Sequence, residues 1–226
     1  MLPQWRRRGN DRLPGKERVL QLTKSRLEAF SDGVFGIVVT LLVLDIRLPE
    51  VGGETLALPL GDQLMALVPK VASWLLSFCM ASIIWVNHHH FTHQLHHVDR
   101  QLLWLNCLLL LFVSFLAFPS AVLGAHPLDA TALRLFGVAF LLASTAFLAM
   151  RHYALAAGLY DENMETRLAR AARRRSAVAV VLYLAGIASA GVAPLVAWFL
   201  YAAVAVYYVF PQPNQANARR RPQSSG

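Results

Sequence analysis

A chain of 226 residues that is 56% hydrophobic and only 15% charged falls outside the ordinary soluble class, where about a quarter of residues carry charge. Apolar runs approaching 20 residues recur, each about what a ~30 Å hydrocarbon core asks of a helix, so the chain reads as an all-α polytopic membrane protein. The net charge of +8 is confined to the N-terminal segment, one later loop and the last residues, which suits membrane topology and anionic lipid rather than a nucleic-acid partner.

Met1 to Lys24 is basic and broken by Pro3, Gly9, Pro14 and Gly15. It reads as a cytoplasmic arm, with helix starting from about Glu17. It lacks the short apolar run and small-residue cleavage site of a signal peptide. The first span runs from about Ser25 to Leu48 and stops at Pro49 and the Gly52-Gly53 pair. The second starts near Gln63, with Pro69 in its early turns where a missing N–H does least harm, and ends in HHHFTHQLHH. The third covers about Leu102 to Gly124, and the fourth about Thr131 to Ala154. A polar stretch, DENMETRLARAARRR, follows.

Ser176 to Phe210 is apolar almost throughout and too long for one span; Gly191 and Pro194 split it into a fifth and a sixth. The expected organisation is therefore a basic arm over 1–24, a six-helix transmembrane domain over 25–210, and a disordered tail over 211–226. Cys79 and Cys107 sit mid-way along apolar runs and imply no disulfide framework.

Six spans place both termini on one side. Eighteen of the 21 Lys and Arg then lie on that side, against Arg47, Lys70 and Arg134 on the other. The positive-inside rule makes the charged side cytoplasmic.

The first span carries Arg26, Glu28, Asp32 and Asp45, which a spanning helix tolerates only for a reason. At 100° per residue Ile37, Thr40, Leu41 and Leu44 share a stripe that Phe30 and Gly33 extend. The stripe fits either helix-packing core or a pore narrowed by apolar side chains, since hydrophobic rings can gate by dewetting. Asp32 points about 140° away from Ile37. Six residues separate it from Arg26, the wrong interval for a same-helix pair, so its partner comes from another helix. Trp85, Asn87, His88 and His89 at the end of the second span are the candidates, and Gly33 and Gly36 would let a neighbouring helix approach. Asp32 is then an anchor or a proton or ion site; the geometry favours the anchor.

Arg26, Phe30, Ser31 and Asp32 form R-x-x-x-F-S-D, followed by GVFGIVVTLLVLDI, and Trp85-x-x-His88 ends the second span. This pattern resembles the signature of the transmembrane protein 175 family of potassium channels. The resemblance implies a homotetramer of single six-helix repeats in the cytoplasmic membrane. The first helix of each subunit would line a central K+ pore, without the carbonyl filter loop of other potassium channels. It places an apolar constriction at Ile37 and a pore hydroxyl at Thr40, with Leu41 and Leu44 continuing the face. Arg26, Phe30, Ser31, Asp32, Trp85 and His88 become a hydrogen-bonded lock between the first two helices. Some members carry a small hydroxyl residue where Gly36 stands here, a departure that implies weaker potassium selection. Asp45, Glu50, Glu54 and Asp62 near the outer mouth would concentrate cations.

His89-x-x-x-His93-x-x-x-His97 places three imidazoles on one helical face, a spacing able to hold a transition metal. Apart from Asp99 no carboxylate or thiolate accompanies them at ligand spacing, and no metal or cofactor is assigned. Enzyme signatures such as G-x-S-x-G, H-E-x-x-H or a phosphate loop do not occur, so no enzymatic activity is expected. The rival class is a secondary transporter, which usually needs more spans and interrupted helices than this chain offers. A proton-conducting variant of the channel would turn on Asp32.

Overall fold

The computed structural model describes the backbone over residues 15–48, 59–161 and 166–209, and the arm before Gly15, the 49–58 loop and the tail lie outside the described residues. Every regular element among the described residues is a helix, apart from one isolated bridge between Leu95 and Tyr160. In order the helices are α1 (Gly15–Leu41) with a 3-10 turn (Leu42–Asp45), α2 (Leu60–Ala66), α3 (Val68–His93), α4 (Arg100–Phe115), α5 (Ala117–Ala125), α6 (Ala130–Ala156), α7 (Thr166–Ser189) and α8 (Pro194–Val209).

Two of the expected single spans are broken, each at a proline. Pro69 sits in the first turn of α3, so α2 and α3 part at Leu67. Pro119 has no N–H, and its ring presses on the carbonyl of Phe115, where α4 ends. Hydroxyls serve the disturbed backbone. Ser120 Oγ lies 2.7 Å from the Leu116 carbonyl and 2.6 Å from Ser77 Oγ, while Ser73 Oγ donates to the Ser120 carbonyl at 2.6 Å. Such side-chain rescue is what lets a proline persist where no water reaches.

Four helical stretches are long and apolar enough to cross a bilayer: Lys24–Asp45, Val68–His93, Arg100–Ala125 and Ala130–Ala156. The expected fifth and sixth do not reach that length. The arginines of α7 occupy its first half, leaving Ser176–Ser189, roughly 20 Å of apolar helix, and the 16 residues of α8 give about 24 Å.

The core centres on α6, which packs against α3, α4, α5, α7 and α8. Phe136, Phe140, Tyr183 and Tyr201 meet there fully buried. The Tyr201 hydroxyl donates to the Leu133 carbonyl at 3.0 Å. Gly137 and Gly186 exist for that ring: a Cβ on either would run into it. Asp129 caps α6 by accepting from Thr131 N at 2.8 Å and Ala132 N at 2.9 Å. Those backbone donors hold its carboxyl below the usual range.

At the end where α3 and α6 finish, the connecting segments pair. His96 N donates to Leu159 O at 2.9 Å and Asp161 N to Gln94 O at 3.0 Å. The turn before them needs Gly158, whose φ of +65° disfavours a side chain. Nearby, Arg151 is buried with its guanidinium 4.6 Å from the centre of the Phe147 ring, donating to the Asn87 carbonyl at 3.4 Å.

Candidate functional site

The two faces of α1 differ sharply. Leu27, Ser31, Phe35, Val38 and Leu42 recur at helical spacing and are all buried, on the helix that packs against α3 and α4. The opposite stripe stays open: Phe30 is 61% exposed, Ile37 61%, Leu41 46% and Leu44 53%, with Gly33, Gly36 and Thr40 between them. A Cβ on Gly33 or Gly36 would meet nothing among the described residues within 4 Å, so neither glycine is needed for their packing. Thr40 Oγ1 contacts the Ile37 carbonyl at 2.8 Å and the Gly36 carbonyl at 3.0 Å.

The helix tightens into its 3-10 turn between Leu41 and Leu44, where the rise per residue grows. Ile37 and Leu44 are thus about 12 Å apart along the axis rather than the ~10 Å of a continuous α-helix.

What fixes the orientation of this stripe is a set of hydrogen bonds on the buried side. Asn106 of α4 donates from Nδ2 to Ser31 Oγ at 3.0 Å and accepts from His88 Nε2 at 2.8 Å. All three side chains are at most 2% exposed. The His88 ring also lies against Phe35, with centroids 5.7 Å apart. One helical turn away, Trp85 Nε1 donates to Asp32 Oδ1 at 2.8 Å. Lys24 closes the near end, donating to the Leu95 carbonyl at 2.8 Å and the His93 carbonyl at 3.3 Å.

The structure therefore brings together Ser31, Asp32, Trp85 and His88 of the expected lock. Arg26 and Phe30 stand apart: both side chains are exposed, and Arg26 is not joined to Asp32, Trp85 or His88. Asn106, missed in the sequence, is the hub. Its signal was available, since it is the lone amide in LLWLNCLLLL and a buried amide in lipid needs partners. Of the acids expected at the outer mouth, Asp45 and Asp62 are placed, half-buried and exposed, while Glu50 and Glu54 lie outside the described residues.

The histidine face also changes. The helix carrying His89 and His93 ends at His93, so His97 leaves their face. Among the described residues no three His, Cys, Asp or Glu converge as metal ligands. Cys79 and Cys107 are both free thiols.

Residues 26–117 match the family described as endosomal/lysosomal potassium channel TMEM175. A protein of Streptomyces collinus named as a potassium channel is 33% identical over 192 residues, covering 83% of this chain and 92% of its own. Another potassium channel, from a Chryseobacterium strain, is 27% identical over 190 residues, 84% of this chain and 94% of that one. A solved structure, that of a lysosomal potassium-selective channel TMEM175 homolog from Chamaesiphon minutus, superposes with a TM-score of 0.74 at 28% identity. It covers 83% of this chain and 96% of that one.

Proposed function

Because this chain belongs to the TMEM175 family, we propose that it is a potassium-preferring cation channel. Four copies surround a central pore that the exposed stripe of α1 lines. Ile37 forms the apolar constriction, Thr40 supplies a ring of hydroxyls, and Leu41 and Leu44 continue the wall.

The observation that carries this reading is the open face of α1. Asp32 lies about 12 Å into the span from Lys24 and is exposed in the single chain, beside Gly33 and Gly36. A carboxylate facing lipid at that depth costs several kcal/mol, so the flank of α1 that carries it, about 140° round the helix from Ile37 and bonded to Trp85, is covered by protein or water. Small residues with empty space beside them suit the approach of another helix. The stripe itself is greasy with a single hydroxyl, as a dewetting constriction requires.

The pair α7 and α8 completes six spans as a short hairpin, with local thinning of the bilayer absorbing the missing length. Both termini then lie in the cytoplasm, which places the arginine-rich start of α7 there too. Ser31, Asn106, His88, Asp32 and Trp85 hold the pore helix at a fixed rotation rather than touching the ion.

The test is flux from liposomes holding the purified protein under a potassium gradient, with sodium and protons run in parallel. Potassium flux exceeding sodium flux, and loss of that preference in Ile37→Asn, is the expected result. Saturable uptake coupled to a second solute would overturn the channel reading. Unchanged selectivity in Ile37→Asn would move the constriction to another residue.

A further inference from the structure

Beyond His88, which belongs to the lock, the histidines at the end of α3 have no part in the lock or in the stripe, yet two of them stand as a pair. His89 and His93 are one helical turn apart, and their ring centroids are 4.4 Å apart, edge to face. His93 is exposed and His89 half-buried, so both rings are within reach of solvent. The backbone beneath them is unbroken helix up to His93. Two imidazoles at this interval on a formed helix can bind one dication at N–metal distances of about 2.0–2.1 Å by side-chain rotation alone.

We propose that His89 and His93 form a two-imidazole chelate for a transition-metal dication such as Cu2+, Ni2+ or Zn2+, its remaining positions filled by water. Imidazole pairs favour this class over Mg2+ or Ca2+, which seek oxygen. The groups facing the pair are few. The Trp85 ring lies 6.0 Å from His89, and the His90 ring is at the same distance. Lys24 Nζ is held at the His93 carbonyl, and its charge opposes the ion. Asp32 is engaged with Trp85 on the turn before. With no third protein ligand converging among the described residues, the affinity is that of a bidentate site.

The site has a mechanical setting. The last turns of α3 carry both the Trp85 that holds Asp32 and the His93 carbonyl that accepts from Lys24, with the second acceptor of Lys24, the Leu95 carbonyl, just beyond them, so a metal bridging His89 and His93 stiffens the segment to which α1 is tied at two points.

The experiment uses the full chain, purified without a polyhistidine tag, titrated with Ni2+ and Cu2+ at pH 7.5 by calorimetry and by Cu2+ electron paramagnetic resonance. One ion per chain with nitrogen hyperfine structure is expected. Weakening by at least about tenfold, or 1.4 kcal/mol, is expected in His89→Ala and in His93→Ala. The control His96→Ala/His97→Ala keeps wild-type affinity. His89→Gln/His93→Gln, which preserves side-chain size and polarity, guards against a folding defect and loses the same binding. Wild-type affinity in either single variant, or loss in the 96/97 control alone, overturns the assignment.

Discussion

Replacing Asn106 by leucine fills much the same volume while deleting both hydrogen bonds that join α1 to α3 through α4. The bonds are 3.0 Å to Ser31 and 2.8 Å from His88, and neither partner has another route to water at 0% and 1% exposure. Leaving two buried polar groups unpaired costs about 1–3 kcal/mol each in soluble proteins. Couplings between membrane helices average nearer 0.6 kcal/mol, with an upper end of about 1.7, because the unfolded chain in lipid also finds partners. The expected loss for Asn106→Leu is therefore about 1–3 kcal/mol. The assay is reversible unfolding in mixed micelles, run as a double-mutant cycle with Ser31→Ala. A coupling of about 0.6–1.7 kcal/mol between the two positions is expected. Strict additivity, or a stability change under about 0.3 kcal/mol for Asn106→Leu, would refute the assignment of Asn106 as hub. If α1 lines the pore as proposed, ion flux recorded on the same samples should show selectivity degrading before conduction is lost, since the helix would turn rather than detach.

Gly137→Ala should destabilise the α6–α8 contact by about 1–3 kcal/mol, because the new methyl meets the Tyr201 hydroxyl, and Tyr201→Phe should return part of the loss in thermal melts. Gly36→Leu fills space that none of the described residues occupies, so the subunit should fold normally while the proposed tetramer fails to form, as read by native mass spectrometry; an intact tetramer with unchanged flux would contradict the proposed α1 interface. Asp129→Ala removes a cap whose carboxyl has a lowered pKa. The wild-type advantage over Asp129→Ala should thus be complete above the unfolded value near 3.8 and disappear as pH falls through the lower folded value. A constant difference down to pH 2 would show that the charge plays no part.

Much of the site was legible because lipid makes polar residues conspicuous. Asp32 could be assigned an interhelical partner on periodicity alone, and Trp85 proves to be that partner. Four of the six expected spans were equally visible, and two of these part at Pro69 and Pro119, a break that hydropathy does not register. Asn106 escaped because one amide within an apolar run announces a need for partners without saying which helix answers. Arg26 belongs to the same short motif as the lock, yet sequence proximity on a helix does not set direction, and its side chain is exposed, apart from the bonded set. His97 would share the face of His93 only on a continuous helix, and α3 stops at His93, where Gln94 caps it.

The Thr40 hydroxyl has a consequence of its own. Its single proton is spent within α1, on the Ile37 and Gly36 carbonyls. In the proposed pore a passing solute would then meet oxygen lone pairs alone, an acceptor with nothing to donate. A ring of such groups solvates cations and offers anions nothing. It does so without any titratable charge, so valence discrimination at this level should persist across pH and ionic strength, conditions that would silence a ring of carboxylates.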